Sequence, residues 1–208
     1  MNGEGFTATA RTAWAVGVLE ALGALRDPRA TPAVLQVLRS ETDPETVRAS
    51  ALALGQISPD TADSVLLPLA MNPGPMQLPV VAGLGECRTV DAAQGLAQLL
   101  SQVEGDDELG RTAAQALGQL ACSWVWQRPA WASRPERAEI ATVAARGLLT
   151  AFVRSSGQTR VEAERNLLVV DFADLAPLLE KAKAEHPDQR MELEKLARRL
   201  ANNPLHRK

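Results

Sequence analysis

The sequence predicts an all-α protein: an α-solenoid, wound as a right-handed superhelix, of about five antiparallel helix pairs followed by a C-terminal capping helix. The chain of 208 residues is 46% apolar but only 3% aromatic, and it contains no tyrosine. A core built of Ala and Leu favours closely packed helices over a β-sandwich. In addition, an Ala-Leu-Gly segment recurs at near-constant spacing, and helical apolar patterns flank its copies.

The repeat is marked by glycines. Four matching segments share a glycine, and successive glycines are 32, 30 and 33 residues apart. These glycines are Gly23, Gly55, Gly85 and Gly118. One helix pair cannot bury its apolar face alone, whereas stacked pairs can. We expect each glycine to let the next helix approach closely, or to end the helix that carries it.

The element boundaries follow from capping residues and apolar spacing. Asp43 followed by Pro44 is typical of a helix start, because Asp caps free N–H groups and Pro suits the first helical position. We predict a single domain, 1–208. Its helix pairs are predicted at 7–40, 43–72, 75–103, 107–154 and 158–185, with a terminal helix at 187–202. The charged terminal helix is expected to be a polar end cap, which solenoids need for solubility.

The fourth pair is interrupted by a Trp-rich loop, defined as residues 123–135. The loop has two prolines, no helical period and three tryptophans: Trp124, Trp126 and Trp131. Because Trp is enriched at binding hot spots, these residues suggest a contact surface. The alternative is that they fold back and cover a gap between the fourth pair and its neighbours, since exposed Trp clusters are a liability. Trp14 is expected in core or end packing.

Several segments resemble a known repeat family. Ala-Leu-Gly-x-Leu is followed by Asp-Pro-Arg-Ala at 27–30, Pro-Ala-Val-Leu at 32–35 and Asp-Pro-Glu at 43–45. Together they resemble the HEAT repeat in its bacterial, phycobilisome-lyase-type form. The resemblance is close in residues 12–57, fair in 58–121 and weak beyond. It implies an α-solenoid but no single function, because such repeats mostly serve as binding scaffolds and only sometimes as enzymes.

The resemblance also implies that second helices line a concave binding surface. Polar residues at helical spacing on these helices are the candidate partner contacts, with a merely solvated face as the alternative. The candidates are Gln36 and Arg39 in the first pair, Gln94 and Gln98 in the third, and Glu139 and Arg146 in the fourth. Arg48 and Arg111 hold matching repeat positions and are expected to bind helix ends or turn carbonyls.

Charge and hydropathy restrict the partners. Lys and Arg number 22 and Asp and Glu number 25, so the net charge of −3 argues against a dedicated nucleic-acid binder. No apolar run reaches the ~18 residues of a membrane-spanning helix. The first residues lack the order of a signal peptide, and we therefore expect a cytoplasmic protein. The apolar N-terminal helix leaves open that the chain is a fragment of a longer solenoid.

The residue types that carry chemistry are sparse. Cys87 and Cys122 are the only cysteines, and His186 and His206 the only histidines. No Cys-x-x-Cys or His-Glu pair occurs, so we expect no metal, no cofactor and no enzyme activity. Both cysteines are expected to be buried and reduced, with a disulfide as the alternative. The two histidines are expected in an exposed linker and an exposed tail.

The leading functional hypothesis is a non-catalytic scaffold that presents a concave helical surface and the Trp-rich loop to a protein or peptide. One alternative is an enzyme that resembles the bilin lyases or the alkylpurine DNA glycosylases. The latter are built of HEAT-like repeats with a basic concave face, which the net charge of −3 disfavours. Another is a structural segment of a longer solenoid. The oligomeric state and the partner's identity stay undetermined by the sequence.

Overall fold

The computed structural model describes residues 7–102, 104–105, 107–170, 172 and 175–203. His206, expected in an exposed tail, lies outside these residues. Throughout this part of the chain the structure is helical without a β-strand, apart from one isolated bridge between Gly105 and Ser155. Successive helices pack in adjacent pairs, which confirms the predicted all-α solenoid architecture. The handedness of the superhelix stays a prediction.

The chain divides into two compact units, Met1–Cys87 and Arg88–Lys208. The first contains α1 (Ala8–Leu25), α2 (Thr31–Ser40), α3 (Pro44–Ile57), α4 (Pro59–Met71) and α5 (Gln77–Leu84). The second contains α6 (Val90–Gln102), α7 (Glu108–Leu120), α8 (Ser123–Trp126), α9 (Pro129–Ala132), α10 (Glu136–Arg154), α11 (Gly157–Val170), α12 (Leu175–Glu185) and α13 (Arg190–Ala201).

In the first unit the first helices of successive pairs form one layer. Helix α3 packs between α1 and α5, while α2 and α4 pack on α3 and α4 also on α5. Helix α3 begins as predicted: the Asp43 carboxylate accepts hydrogen bonds from the backbone N–H of Thr46 at 2.9 Å and from its hydroxyl at 2.8 Å. Pro44 follows at the first helical position. This cap satisfies N–H groups that the helix leaves unpaired.

The repeat glycines lie where these helices touch. A Cβ added at Gly23 would lie 3.1 Å from the Cα of Ala53, and one at Gly55 would lie 3.0 Å from the carbonyl oxygen of Gly83. In the third repeat the contact position is Gly83, whose added Cβ would overlap Ala51. Gly85 is the capping residue at the end of α5, which is the second of the two roles predicted for the repeat glycines. Close helix approach therefore explains Gly23, Gly55 and Gly83, and the end of α5 explains Gly85.

In the second unit α10 is the central helix. It packs on α6 and α11, and more lightly on α7 and α12, while α7 packs on α6 and α11. A Cβ added at Gly147 of α10 would lie 2.9 Å from the Cβ of Ala97, and one added at Gly118 of α7 would overlap Asn166. The predicted contact role of Gly118 is thus confirmed, and the same small-residue packing recurs between α6 and α10.

The Trp-rich loop is partly helical, and two of its three tryptophans are buried. It contains the two short helices α8 and α9. Trp126 is 1% exposed, and its indole N–H donates to the carbonyl oxygen of Leu120 at 3.0 Å. Trp131 is buried too; its ring meets that of Trp126 edge-on, with 5.8 Å between ring centroids. Trp126 and Trp131 therefore follow the packed alternative, whereas Trp124 is 62% exposed.

Two arginines lie over the ring of Trp131. The guanidinium carbon of Arg88 lies 5.6 Å from the ring centroid of Trp131, and that of Arg134 lies 4.7 Å away. A cation near an aromatic face is attracted by the ring's quadrupole. The hydrogen bond of Trp126 and the cations around Trp131 explain how a core of small residues accommodates two indoles.

Two further expectations need correction. Trp14 is not in the core: it is 69% exposed on the outer face of α1, where Val18 and Leu25 are exposed as well. Arg48 and Arg111 do not bind turn carbonyls. They form ion pairs one turn back on their own helices, with Glu45 at 3.6 Å and Glu108 at 3.4 Å. An arginine three residues after a glutamate reaches that side chain more readily than a neighbouring turn.

The C-terminal region is a 3-10 turn, Pro187–Gln189, followed by α13. Leu193, Leu196 and Leu200 are buried, while the opposite face carries ion pairs such as Arg190–Glu194 at 3.1 Å. The helix is thus amphipathic, with one apolar stripe and a charged outer face. None of the helices in the described ranges is long and apolar enough to cross a membrane.

Candidate functional site

An open groove lies between α10 and α12 in the second unit. Its volume is about 520 Å³. That size is within the range of pockets that bind small molecules or side chains of a partner. The α10–α12 groove is lined by Arg146, Leu149, Thr150, Val153, Arg154, Leu178, Lys181, Ala182, Glu185 and His186.

The floor of the groove is aliphatic. Leu149 and Val153 come from α10, and Leu178 and Ala182 come from α12. In each pair the residues are four positions apart, so they lie on one face of their helix. Leu149, Val153 and Ala182 are largely buried, and Leu178 is half-buried. The floor therefore offers a small apolar surface between two rows of polar side chains.

The rim of the groove is basic. It carries three cationic side chains, Arg146, Arg154 and Lys181, against one acidic side chain, Glu185. This excess contrasts with the net charge of −3 of the whole chain. Like charges that line one cleft focus the electrostatic field there, so the groove attracts negatively charged groups more strongly than the rest of the surface does.

The three cations differ in how far they are already neutralised. Arg154 forms an ion pair with Glu104 at 2.9 Å, and the Lys181 ammonium lies 3.7 Å from the carboxylate of Glu185. Arg146 is exposed, and within the described part of the chain no acidic side chain lies within ion-pair distance of it. Arg146 is thus the cation most available to a ligand.

Two hydrogen bonds to backbone carbonyl oxygens lie at the ends of α10 and α12, beside the groove. The side-chain amide of Gln189 donates to the carbonyl oxygen of Val153 at 2.7 Å, which ties the turn after α12 to the last turn of α10. The backbone N–H of His186 donates to the carbonyl oxygen of Ala182 at 2.9 Å and completes the end of α12. The Gln189 contact thus joins the ends of the two helices that line the groove.

The sequence-predicted contacts fall into three places. Gln94, Gln98, Glu139 and Arg146 are exposed on α6 and α10, two helices that pack together. Of these four, only Arg146 lines the groove. Gln36 and Arg39 are exposed on α2, in the first unit. The tryptophans of the Trp-rich loop do not line the groove, and only Trp124 among them is exposed.

The α12 half of the groove was missed. Leu178, Lys181, Ala182 and Glu185 are spaced i, i+3, i+4 and i+7, which is the signal of one helical face. The stripe could have been found from that spacing. The spacing alone does not show that this face of α12 lies opposite α10, which depends on tertiary packing.

A second depression lies in the first unit, between the start of α1 and the turn that joins α2 to α3. Its volume is about 450 Å³. Arg11 and Glu41, of opposite charge, line it together with Trp14 and Thr46. It lacks an aliphatic floor of the kind found between α10 and α12. We therefore consider the α10–α12 groove the better candidate for a binding site.

Metal and thiol chemistry have no evident site in the described part of the chain. There, no group of three or more His, Cys, Asp or Glu side chains is placed to hold a metal ion. Cys87 and Cys122 are not joined in a disulfide; Cys87 is buried and Cys122 is half-buried, in contrast to the expectation that both are buried.

Comparison with known proteins supports the repeat. The family of HEAT repeats matches residues 11–75, which run from α1 past the end of α4. The match covers less than a third of the chain, so it identifies this segment as similar to HEAT repeats and leaves the second unit to be described by its own packing. The comparison with curated proteins found no match for the chain.

Proposed function

We propose that the protein is a non-catalytic interaction scaffold that binds a protein or peptide partner with the second-helix surface of the unit Arg88–Lys208. The binding site is centred on the α10–α12 groove. Proteins built of HEAT repeats commonly use such surfaces as scaffolds, and residues 11–75 match that family. We further propose that the repeats are of the phycobilisome-lyase-type form, which concerns the repeat alone and involves no bilin attachment.

One observation carries the proposal: the groove joins an aliphatic floor to a basic rim in which Arg146 has no ion-pair partner among the described residues. Interfaces gain affinity from apolar contacts at their centre and specificity from charges around them. Glu139 lies two turns before Arg146 on α10, and Gln94 and Gln98 are exposed on α6, which packs on α10. The arrangement suits a partner segment larger than a small molecule.

The test is site-directed photo-crosslinking. A photoreactive amino acid replaces Thr150, an exposed groove residue, and in a second variant Gln36, an exposed residue of α2 in the other unit. We expect the Thr150 position to crosslink to a defined partner and the Gln36 position to crosslink to it much less. The captured partner is then purified, and its affinity for the unmodified chain is measured.

A charge-matched pair of variants decides whether the groove is responsible. Arg146→Glu and Arg39→Glu change the net charge equally, and both arginines are exposed on second helices. We expect Arg146→Glu to weaken partner binding by about tenfold or more, because it removes a charge-assisted contact and adds a repulsive one. Arg39→Glu should leave the affinity unchanged. The opposite ranking would place the binding site in the first unit and contradict the proposal.

A further inference from the structure

We propose that the α10–α12 groove recognises an acidic segment of its protein partner, with apolar side chains of that segment seated on the groove floor. The inference rests on the proposed function, because it takes the groove as the partner-binding site. It adds the chemical class of the segment that binds: carboxylate side chains interspersed with aliphatic ones.

The charges argue for carboxylates. Arg146 presents a guanidinium without an ion-pair partner among the described residues, and a guanidinium binds a carboxylate through two parallel hydrogen bonds. Lys181 lies nearby on the opposite wall, with a side chain that is 71% exposed and a long contact of 3.7 Å to Glu185. An exposed pair of this length contributes little, so a ligand carboxylate can replace it at small cost.

The floor argues for aliphatic side chains between the acidic ones. Leu178 is half-buried, and the largely buried Leu149 and Val153 add small apolar areas to the groove floor beside it. Covering this surface with a partner's side chain removes apolar area from water, which favours binding. Carboxylates alone would leave the floor hydrated, and aliphatic side chains alone would leave Arg146 without an ion-pair partner among the described residues.

Nucleic acid fits the groove less well. Base stacking is strongest on large aromatic side chains, and the residues that line the groove include no Trp, Tyr or Phe, only the half-buried imidazole of His186. A phosphate backbone is held by several unneutralised cations, whereas Arg154 is already paired with Glu104. The peptide is therefore the occupant that both the apolar floor and the number of available charges favour.

The first experiment compares three sets of short fluorescein-labelled peptides, and a single-stranded DNA, by fluorescence anisotropy with the full chain. One set alternates Glu or Asp with Leu, the second replaces the acidic residues with Lys, and the third replaces Leu with Ala. We expect the acidic–aliphatic set to bind, with affinity that falls as salt rises. The other two sets should bind at least about tenfold more weakly, since each lacks one of the two complementary features.

Variants then assign the binding to named side chains. Arg146→Glu and Lys181→Glu should each lower affinity for the acidic–aliphatic peptides by about tenfold or more, while Arg39→Glu should not change it. The double variant of Arg146 and Lys181 should in turn gain affinity for the Lys–Leu peptides. Because the side chains are exposed, the melting temperatures should match that of the parent protein.

Three results would overturn the inference: no acidic–aliphatic peptide binds more tightly than its Lys counterpart, the DNA binds more tightly than every peptide, or Arg146→Glu leaves peptide binding unchanged. They are distinguishable from failure of the proposed function. If the partner crosslinked at Thr150 contacts the groove through a basic segment, the scaffold function holds and only this inference fails. If no partner crosslinks at Thr150, the proposed function itself fails.

Discussion

The four tryptophans show how one residue type takes opposite roles in this chain. Trp126 and Trp131 are buried against each other, whereas Trp14 and Trp124 are exposed. Composition alone identified all four as unusual, but burial depends on neighbours that are distant in sequence. Trp131, for example, lies near Arg88, and Trp126 reaches back to the backbone of Leu120. The alternative that the Trp-rich loop covers a gap is therefore the correct one for two of its three tryptophans.

Truncation of these side chains should separate the two roles. Trp126→Ala should lower the free energy of unfolding by about 3–5 kcal/mol, because it leaves a cavity in a packed site. Trp124→Ala should lower it by less than about 0.5 kcal/mol, as is usual for an exposed side chain. Urea denaturation measures both. Similar losses for the two variants would show that α8 does not pack as described.

Two glycines should respond to alanine with opposite sign. At Gly83 an added Cβ would overlap Ala51, so Gly83→Ala should destabilise the protein by about 1–3 kcal/mol. At Gly17, in the middle of α1, an added Cβ meets nothing within 4 Å. Gly17→Ala should therefore stabilise by about 0.5–1 kcal/mol through helix propensity. Thermal denaturation of the two variants checks the sign, and a loss at Gly17 would mean that α1 has an unrecognised neighbour.

At the scale of elements, helix starts were the most predictable feature. Asp43 and Pro44 start α3 because both act locally, through a side-chain cap and a fixed backbone angle. Contact positions were less predictable. In the third repeat the close approach to α3 is at Gly83, whereas Gly85 caps the end of α5. A two-residue displacement of this kind depends on how α5 meets α3, which local sequence does not determine.

The cap of α3 offers a test at this scale. Asp43→Ala should lower the free energy of unfolding by about 1 kcal/mol, since the N–H and hydroxyl of Thr46 lose their acceptor. Asp43→Asn is the matched control: asparagine caps nearly as well, so its effect should be a few tenths of a kcal/mol at most, about 0.3. If the two variants were equally destabilised, the carboxylate's charge rather than its capping bond would matter.

Only one wall of the candidate site, that of α10, was predicted from the sequence. Arg146 was found because it lies on a polar stripe of a second helix that the repeat pattern located. The opposite wall comes from α12, where the repeat resemblance is weak. The two walls form a site because they face each other across the groove. Arg154 and Lys181 are already paired, with Glu104 and Glu185 respectively, so Arg146 is the cation left to bind a ligand. These are tertiary facts, and the spacing of residues in one helix does not contain them.

At the scale of the whole molecule, stability should be independent of redox state. Cys87 and Cys122 are not joined in a disulfide, so a reductant has no such bond to break. The melting temperature should be the same with and without dithiothreitol, measured by circular dichroism at 222 nm, the usual wavelength for helix content. A fall of several degrees with the reductant would reveal a stabilising disulfide and would favour an oxidising compartment.

The contrast between buried and exposed indoles also gives the protein built-in optical labels. Because the chain contains no tyrosine, its ultraviolet fluorescence comes from the four tryptophans. Trp14 and Trp124 should emit at longer wavelength and be quenched by iodide, whereas Trp126 and Trp131 should emit at shorter wavelength and be shielded from it. With Trp14 and Trp124 replaced by phenylalanine, the remaining emission comes from the buried Trp126 and Trp131. Its red shift would then report the opening of the unit Arg88–Lys208 by itself.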